Sequence, residues 1–173
     1  RGRPVLPVQF DIQGLFPRVE FGIIAGQPGH GKSILVVQAS VAKATGLPLL
    51  GFDASEPGGV VAVVLEDDFA VVHRRVQAAV VSYGEQFTEE HHRLLDINLR
   101  ILMRPTGELS GLSPDQLNLV LSGLTGEIEE AMRSCESPPA MIFIDTLNSV
   151  HDGDENNAKE TRPLVAAVLG LSA

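Results

Sequence analysis

The sequence predicts a three-layer α/β fold, a mainly parallel sheet flanked by helices, on three observations. Apolar strand-like runs alternate with helical patterns along the chain. Those runs are β-branched and uninterrupted, as in strands buried on both faces. Finally, a glycine-rich loop joins the first run to the first helix, and acidic residues close two of the later runs.

The stretch to about Arg18 is rich in Pro and Gly and reads as an irregular lead-in. Glu20-Phe21-Gly22-Ile23-Ile24-Ala25 reads as a short buried strand. Ser33 to Ala44 reads as a helix apolar nearly all round, stopped by Thr45-Gly46 and Pro48. After Gly58-Gly59, the run Val60 to Leu65 is a second strand, ending on Glu66-Asp67-Asp68. A helix from Phe69 to Ser82 follows, with Val72, Val76, Ala79 and Val80 at helical spacing. Thr88 N-caps a short helix over Glu89 to Leu95, and Ile97 to Met103 forms a third strand. Leu117, Val120, Leu121, Leu124, Ile128 and Met132 form one stripe, which predicts a helix over Asp115 to Arg133 despite Gly123 and Gly126. Ala140 to Asp145 is a fourth strand closed by a carboxylate, and a last helix starts near Asn156 or Ala158 and continues to Leu171.

Between the first strand and first helix, Gly26-Gln27-Pro28-Gly29-His30-Gly31-Lys32-Ser33 fits the P-loop pattern Gly-x-x-x-x-Gly-Lys-Ser/Thr. The glycines allow backbone turns and close approach, so successive N–H groups can face phosphate oxygens. Lys32 supplies a mobile point charge for the β- and γ-phosphates, and the Ser33 hydroxyl suits Mg²⁺ at the start of the helix. The pattern therefore predicts a nucleoside triphosphate, with Gly26 to Ser33 as its binding residues.

Ligands of parallel sheets bind at the carboxyl ends of the strands, where the loop, Glu66 and Asp145 all fall. Asp145, after Met141-Ile142-Phe143-Ile144, has the form of a Walker B acid that holds the metal through water and accepts a hydrogen bond from Ser33. Hydrolysis also needs a base to orient water, and Thr146 rather than Glu follows Asp145. That moves the role to another strand end, where Glu66 is the candidate, Asp67 its rival and Asp68 a helix N-terminal charge.

At 173 residues, with 44% hydrophobic residues, the chain can bury one core and reads as one domain. It contains no apolar run near 18 residues and no signal-like start, so the expected compartment is cytoplasmic and no membrane partner is expected. The net charge of −9, from 13 basic against 22 acidic residues, excludes a general nucleic-acid footprint. His73-Arg74-Arg75 reads as a solvated helix face, and the lone Cys135 as inert. His91 and His92 are adjacent and point to different faces, while His30 and His151 read as loop side chains.

Four elements carry a resemblance: the loop Gly26 to Ser33, the segment Val60 to Asp68 with the Arg74-Arg75 helix, the strand Met141 to Leu147, and the segment His151 to Glu160. Together they resemble RecA-like P-loop ATPases, and within them the RepA-type hexameric replicative helicases and related AAA-type ATPase domains of plasmid, phage and mobile-element replication proteins. The resemblance implies ATP and Mg²⁺ as cofactors, Lys32 and Glu66 as catalytic residues, and Ser33 with Asp145 at the metal. It gives Asp154-Glu155-Asn156 no chemistry beyond opening a helix. It further implies a homo-oligomer, a hexamer in the family, with single-stranded DNA contacted through parts outside this fragment.

The family domain continues with a strand between the Walker strands, a γ-phosphate sensor, DNA-binding loops and basic residues that complete a neighbour's site. The resemblance therefore implies that residues 1–173 are a RecA-like ATPase domain truncated at its C-terminal end, and a weak ATPase alone. The function expected is ATP hydrolysis within a replicative motor. The competing reading is a non-translocating RecA-like ATPase: a recombination mediator, regulatory ATPase or loader. A small-molecule kinase is disfavoured by Glu66 and by the lack of an arginine-rich lid.

Overall fold

The computed structural model describes residues 7–18, 20, 22–27, 29–65, 67–103 and 114–145, with side chains for all of these but 114–122. Along the chain come β1 (Phe10–Ile12), β2 (Phe16–Pro17), α1 (Lys32–Thr45), β3 (Gly59–Val64), α2 (Phe69–Ser82), α3 (Glu89–Asn98), β4 (Leu99–Met103), α4 (Pro114–Arg133) and β5 (Pro139–Asp145). A single 3₁₀ turn over Gly84–Gln86 separates α2 from α3.

The uninterrupted apolar run of β3 places it at the centre of a three-stranded sheet in the order β4-β3-β5, parallel on both sides. Every residue of β3 is buried. Because side chains alternate along a strand, Val60, Ala62 and Val64 face one side, where Val60 joins Val36, Ala39 and Phe143 in the main core. Val61 and Val63 face the other side and are as fully buried as Val60, at 0% exposure. α2 and α3 each pack against α1, which lies on β3 and β5, while α4 packs on β3 and β4. The mixed α/β fold with a parallel sheet flanked by helices is thus the one predicted. No described helix is long and apolar enough to cross a membrane.

Close approach fixes where β3 starts. A Cβ on Gly59 would lie 2.9 Å from the Cys135 Cβ and 3.2 Å from the Ser137 carbonyl oxygen, so only glycine lets the β5 lead-in come this near. The same corner is held by Asn98, which is fully buried. Its Nδ2 donates to the Ala44 carbonyl at 3.0 Å, and its Oδ1 accepts the Ser137 N–H at 3.0 Å. One amide thereby joins the end of α1, the start of β4 and the entry to β5, with its polar atoms satisfied.

Helix boundaries follow local chemistry. α1 stops at Gly46, in the left-handed conformation at φ 78°. α2 spans the predicted residues, and its N-cap is Asp68, whose carboxylate accepts the Val71 N–H at 2.8 Å. α3 starts after Thr88 as expected, but continues to Asn98, so β4 begins at Leu99 rather than Ile97. The apolar residue Ile97 belongs to the last helical turn because Asn98 must be delivered to the buried corner.

Two expectations at the N-terminal side are corrected. The lead-in is not irregular: β1 and β2 pair as a short antiparallel hairpin. It docks through Ile12, which is fully buried, and through an edge-to-face contact of Phe16 with Phe143, ring centroids 5.7 Å apart. Conversely, the described residues of 20–25 form no strand. A strand is defined by its ladder, and this segment finds no pairing partner among the described residues. Ile24 packs on the core while Ile23 is 62% exposed, so the segment is anchored by one side only. The expected helix over 156–171, with Asp154-Glu155-Asn156 and His151, lies outside the described residues.

The hairpin is fastened to α1 by a buried ion pair. Lys43 Nζ lies 2.9 Å from Asp11 Oδ1, with side-chain exposures of 2% and 7%. The ammonium also donates to Ser55 Oγ at 2.5 Å and to the Glu56 carbonyl at 2.9 Å, using all three of its donors. Arg18 Nε adds a second bond to Asp11 Oδ1 at 3.2 Å. Removing one partner of such a pair strands a buried charge, at a cost of about 3 kcal/mol. Lys43→Met is therefore expected to lower the unfolding free energy by about that amount, measured by urea denaturation, and adding Asp11→Leu is expected to recover part of the loss.

Candidate functional site

The loop of residues 26–30 is exposed where it is described, Gly31 is half-buried, and the loop is shaped by glycine. Gly29 and Gly31 take φ of 80° and 81°, a region disfavoured for any residue with a Cβ. Gly31 occupies the N-cap position of α1, with no side chain capping the first turn. The opening N–H groups of α1 are therefore left to whatever lies in front of the helix, and the helix dipole favours an anion there. Lys32 Nζ donates to the carbonyls of Gly26 at 2.6 Å and Gln27 at 3.1 Å, so the ammonium curls over its own loop. Ser33 is half-buried in the first turn, and among the described residues no hydrogen bond joins its hydroxyl to Asp145. His30 is an exposed loop side chain, as expected, and Pro28 lies outside the described residues.

The direction of α1 brings the loop to the acidic end of the sheet. At the C-terminal end of α1, the Lys43 carbonyl accepts the N–H of Gly58, just before β3, and the Ala44 carbonyl accepts from Asn98, just before β4. Nearer its N-terminus, Val36 and Val37 line a narrow apolar cleft together with Val64, Val76, Arg75 and Asp145. Val64 and Asp145 end their strands, so α1 runs against the strand direction and Lys32 and Ser33 stand at the strands' carboxyl ends.

Two strand tips meet at this edge. The β3–β5 register pairs Val64 with Asp145, and the Leu65 N–H donates to the Asp145 carbonyl at 2.8 Å. Asp145 is half-buried, and its carboxylate takes no hydrogen bond from another described side chain. Glu66, the next residue after Leu65, lies outside the described residues. Asp67 is bound through both carboxylate oxygens to the Arg75 guanidinium, the longer bond being 3.2 Å. Asp68 is committed to capping α2.

This pairing revises one expectation. His73 and Arg74 are exposed, as a solvated face requires, and His73 stacks on Phe69 at 5.8 Å. Arg75 instead turns inward to Asp67. The available signal was directional: side chains on a helix lean toward its N-terminus, so an arginine in the second turn can reach a carboxylate before the first. His91 and His92 also depart from expectation, since both rings contact Phe87, at 5.7 and 4.8 Å. Cys135 is half-buried: desolvation pushes its thiol pKa up, and its Sγ donates to the Asn98 carbonyl at 3.3 Å.

An exposed glycine loop, an uncapped helix start and a lysine over the loop form an arrangement that fits a polyphosphate. A family model for the AAA domain matches residues 7–173, nearly the whole chain. The chain belongs to this family. No curated protein matches the chain. The AAA domain is a nucleotide-binding ATPase module, and the α/β fold described above is that of a P-loop NTPase. Among the described residues of this AAA domain, no three His, Cys, Asp or Glu side chains cluster as a metal cage. Ser33 and Asp145 offer the hard oxygen ligands that Mg²⁺ uses, one or two at a time, beside phosphate and water.

Nothing lies within 4 Å of a Cβ placed on Gly31, so a substitution there meets backbone strain rather than collision. Gly31→Val is expected to cost about 1–2 kcal/mol. Gly31→Asn is expected to cost less, because asparagine tolerates the left-handed region; urea unfolding of the two variants checks the order.

Proposed function

We propose that this AAA domain binds ATP with Mg²⁺ at Gly26 to Ser33 and hydrolyses it as the ATPase domain of a RepA-like DNA replication helicase. The observation that carries the reading is the common edge: α1 begins with Lys32 and Ser33 at the end of the sheet where β3 and β5 finish side by side.

In this reading Gly26, Gln27, Pro28, Gly29, His30 and Gly31 wrap the phosphates with backbone N–H groups. Lys32 exchanges the Gly26 and Gln27 carbonyls for the β- and γ-phosphates. Ser33 and Asp145 hold the metal. Mg²⁺ neutralises phosphate charge when bound. Glu66, which follows Leu65 in sequence, orients the attacking water and accepts its proton. Asp67, its rival, already has both carboxylate oxygens on Arg75, which favours Glu66. We further propose a ring, a hexamer by resemblance, in which single-stranded DNA is met by parts outside residues 1–173.

A second reading, a non-translocating RecA-like ATPase such as a recombination mediator or loader, is favoured by the net charge of −9, which gives the chain no general basic surface for DNA.

Lys32→Ala is expected to abolish triphosphate binding, read by titration with a fluorescent ATP analogue. Glu66→Gln is expected to retain Mg-ATP while losing turnover. Steady-state hydrolysis by the parent chain, with and without single-stranded DNA, separates the two functions. Stimulation that disappears in Glu66→Gln supports the motor, whereas turnover indifferent to DNA supports the non-translocating ATPase. Normal turnover by Glu66→Gln removes Glu66 from the role of base.

A further inference from the structure

We propose that the turn at Leu50 docks on the outer face of α2 of a second copy of this chain, an apolar and acidic knob on an apolar and basic helix face. The proposal supplies a contact for the homo-oligomer proposed above, and rests on that reading for its occupant.

The knob is built against the ordinary preferences of its turn. Leu49 and Phe52 exchange both backbone hydrogen bonds, at 2.9 and 2.8 Å, with Leu50 and Gly51 between them. Both central residues take positive φ, 50° and 86°, as in a type I′ turn. Asparagine or aspartate is the residue that suits the position before the glycine. Leu50 is the one residue other than glycine with positive φ among the described residues. It is also 70% exposed, so neither the backbone nor the core accounts for a leucine there. Phe52 beside it is exposed as well, and the Gln13 N–H donates to the Asp53 carbonyl at 2.8 Å, which brings up the β1–β2 turn with the exposed Leu15. The charge around the knob is acidic. Asp53 and Glu56 are exposed, and no Lys, Arg or His occurs from Gly46 to Gly59. Arg18 Nη2 reaches Glu56 at 3.7 Å, while Asp53 is in no ion pair among the described residues.

α2 presents the complement. Its 14 residues include no acid, in a chain of net charge −9. Ala70, Arg74, Gln77 and Val81 recur at helical spacing and are all exposed, Val81 at 73%. Phe69, 72% exposed, stacks on His73 beside this stripe. The outward face of a solvated helix is ordinarily charged or polar, and this one is mostly apolar. Arg75 is committed to Asp67, so Arg74 is the guanidinium that the face offers.

Leu50 and Val81 are both exposed in the one chain, so knob and face do not cover each other within it. A second copy covers both. Opposite charge beside apolar groups selects this pairing, since knob on knob or face on face would set like charges together.

Sedimentation velocity of residues 1–173 and its variants, without nucleotide and over concentrations up to about 100 µM, tests the proposal. The parent is expected to associate, and less so at high salt. Leu50→Asp suits the turn, so its urea midpoint is expected to be at least parental, while its association constant falls about tenfold or more. Arg74→Glu is expected to show the same fall with a parental circular dichroism spectrum. Mixed in equal amounts, the two variants are expected to recover association, because each keeps the surface that the other lacks. A general loss of apolar surface would not give that recovery. A parent that is monomeric at every concentration overturns the proposal and the homo-oligomer reading together. In an associating parent, parental association by either variant, no recovery on mixing, or association that strengthens with salt overturns this contact alone. Should Arg74→Glu fail to fold, Val81→Glu takes its place with the same expected outcomes.

Discussion

The parallel pairing of β3 with β5 is the constraint on which the rest depends. Its register ends with Val64 beside Asp145 and continues into the Leu65 N–H bond to the Asp145 carbonyl, so both strands end at one place. A slip of one residue would rotate every β3 side chain to the opposite face. Burial on both faces penalises it little, since all six residues of β3 are small or apolar and buried. Register is set instead at the strand's start, where Gly59 admits the Cys135 turn and Asn98 accepts the Ser137 N–H. The geometry of the acidic edge is thus determined at the far end of the sheet.

Polar groups inside the structure are connectors between elements. Lys43 joins α1 to the hairpin and to the 55–56 segment, and Asn98 joins α1, α3 and the β5 lead-in. Both sit near the C-terminal end of α1, opposite the glycine loop. The frame is therefore held where the chain is dry, and the described residues of 26–30 stand exposed at the other end. A glycine-shaped loop on a fixed helix suits anion binding, because the helix start need not reorganise when charge arrives.

What the sequence disclosed follows from how local each determinant is. α2 was legible to the residue because Asp68 caps it and its apolar spacing is regular; β3 and β5 were legible from uninterrupted apolar runs. The hairpin was not, since strands of three and two residues carry no period and are held by Asp11–Lys43 and Phe16–Phe143, contacts remote in sequence. The 20–25 segment misled because an apolar run specifies burial, while a strand also needs a neighbour. At the site, the glycine loop was readable since its chemistry is encoded in eight consecutive residues. Arg75 was hidden because adjacency to His73 and Arg74 suggested one shared face, whereas helix geometry sends neighbours in different directions.

The acidic edge poses an electrostatic problem that the structure resolves by division of labour. A nucleotide-binding domain of net charge −9 gathers Asp67, Asp68 and Asp145 at one end of its sheet. Asp68 accepts the Val71 N–H at the start of α2, where the helix dipole favours a negative charge. Asp67 is neutralised by a guanidinium from the same helix. Of the three described acids, Asp145 alone has a carboxylate that accepts no hydrogen bond among the described residues, and it ends a strand beside a cleft. The same reasoning explains why α1 carries no acidic residue in its first turn. A carboxylate there would occupy the helix N–H groups that the glycine loop leaves open, and would repel the anion the loop is shaped to receive.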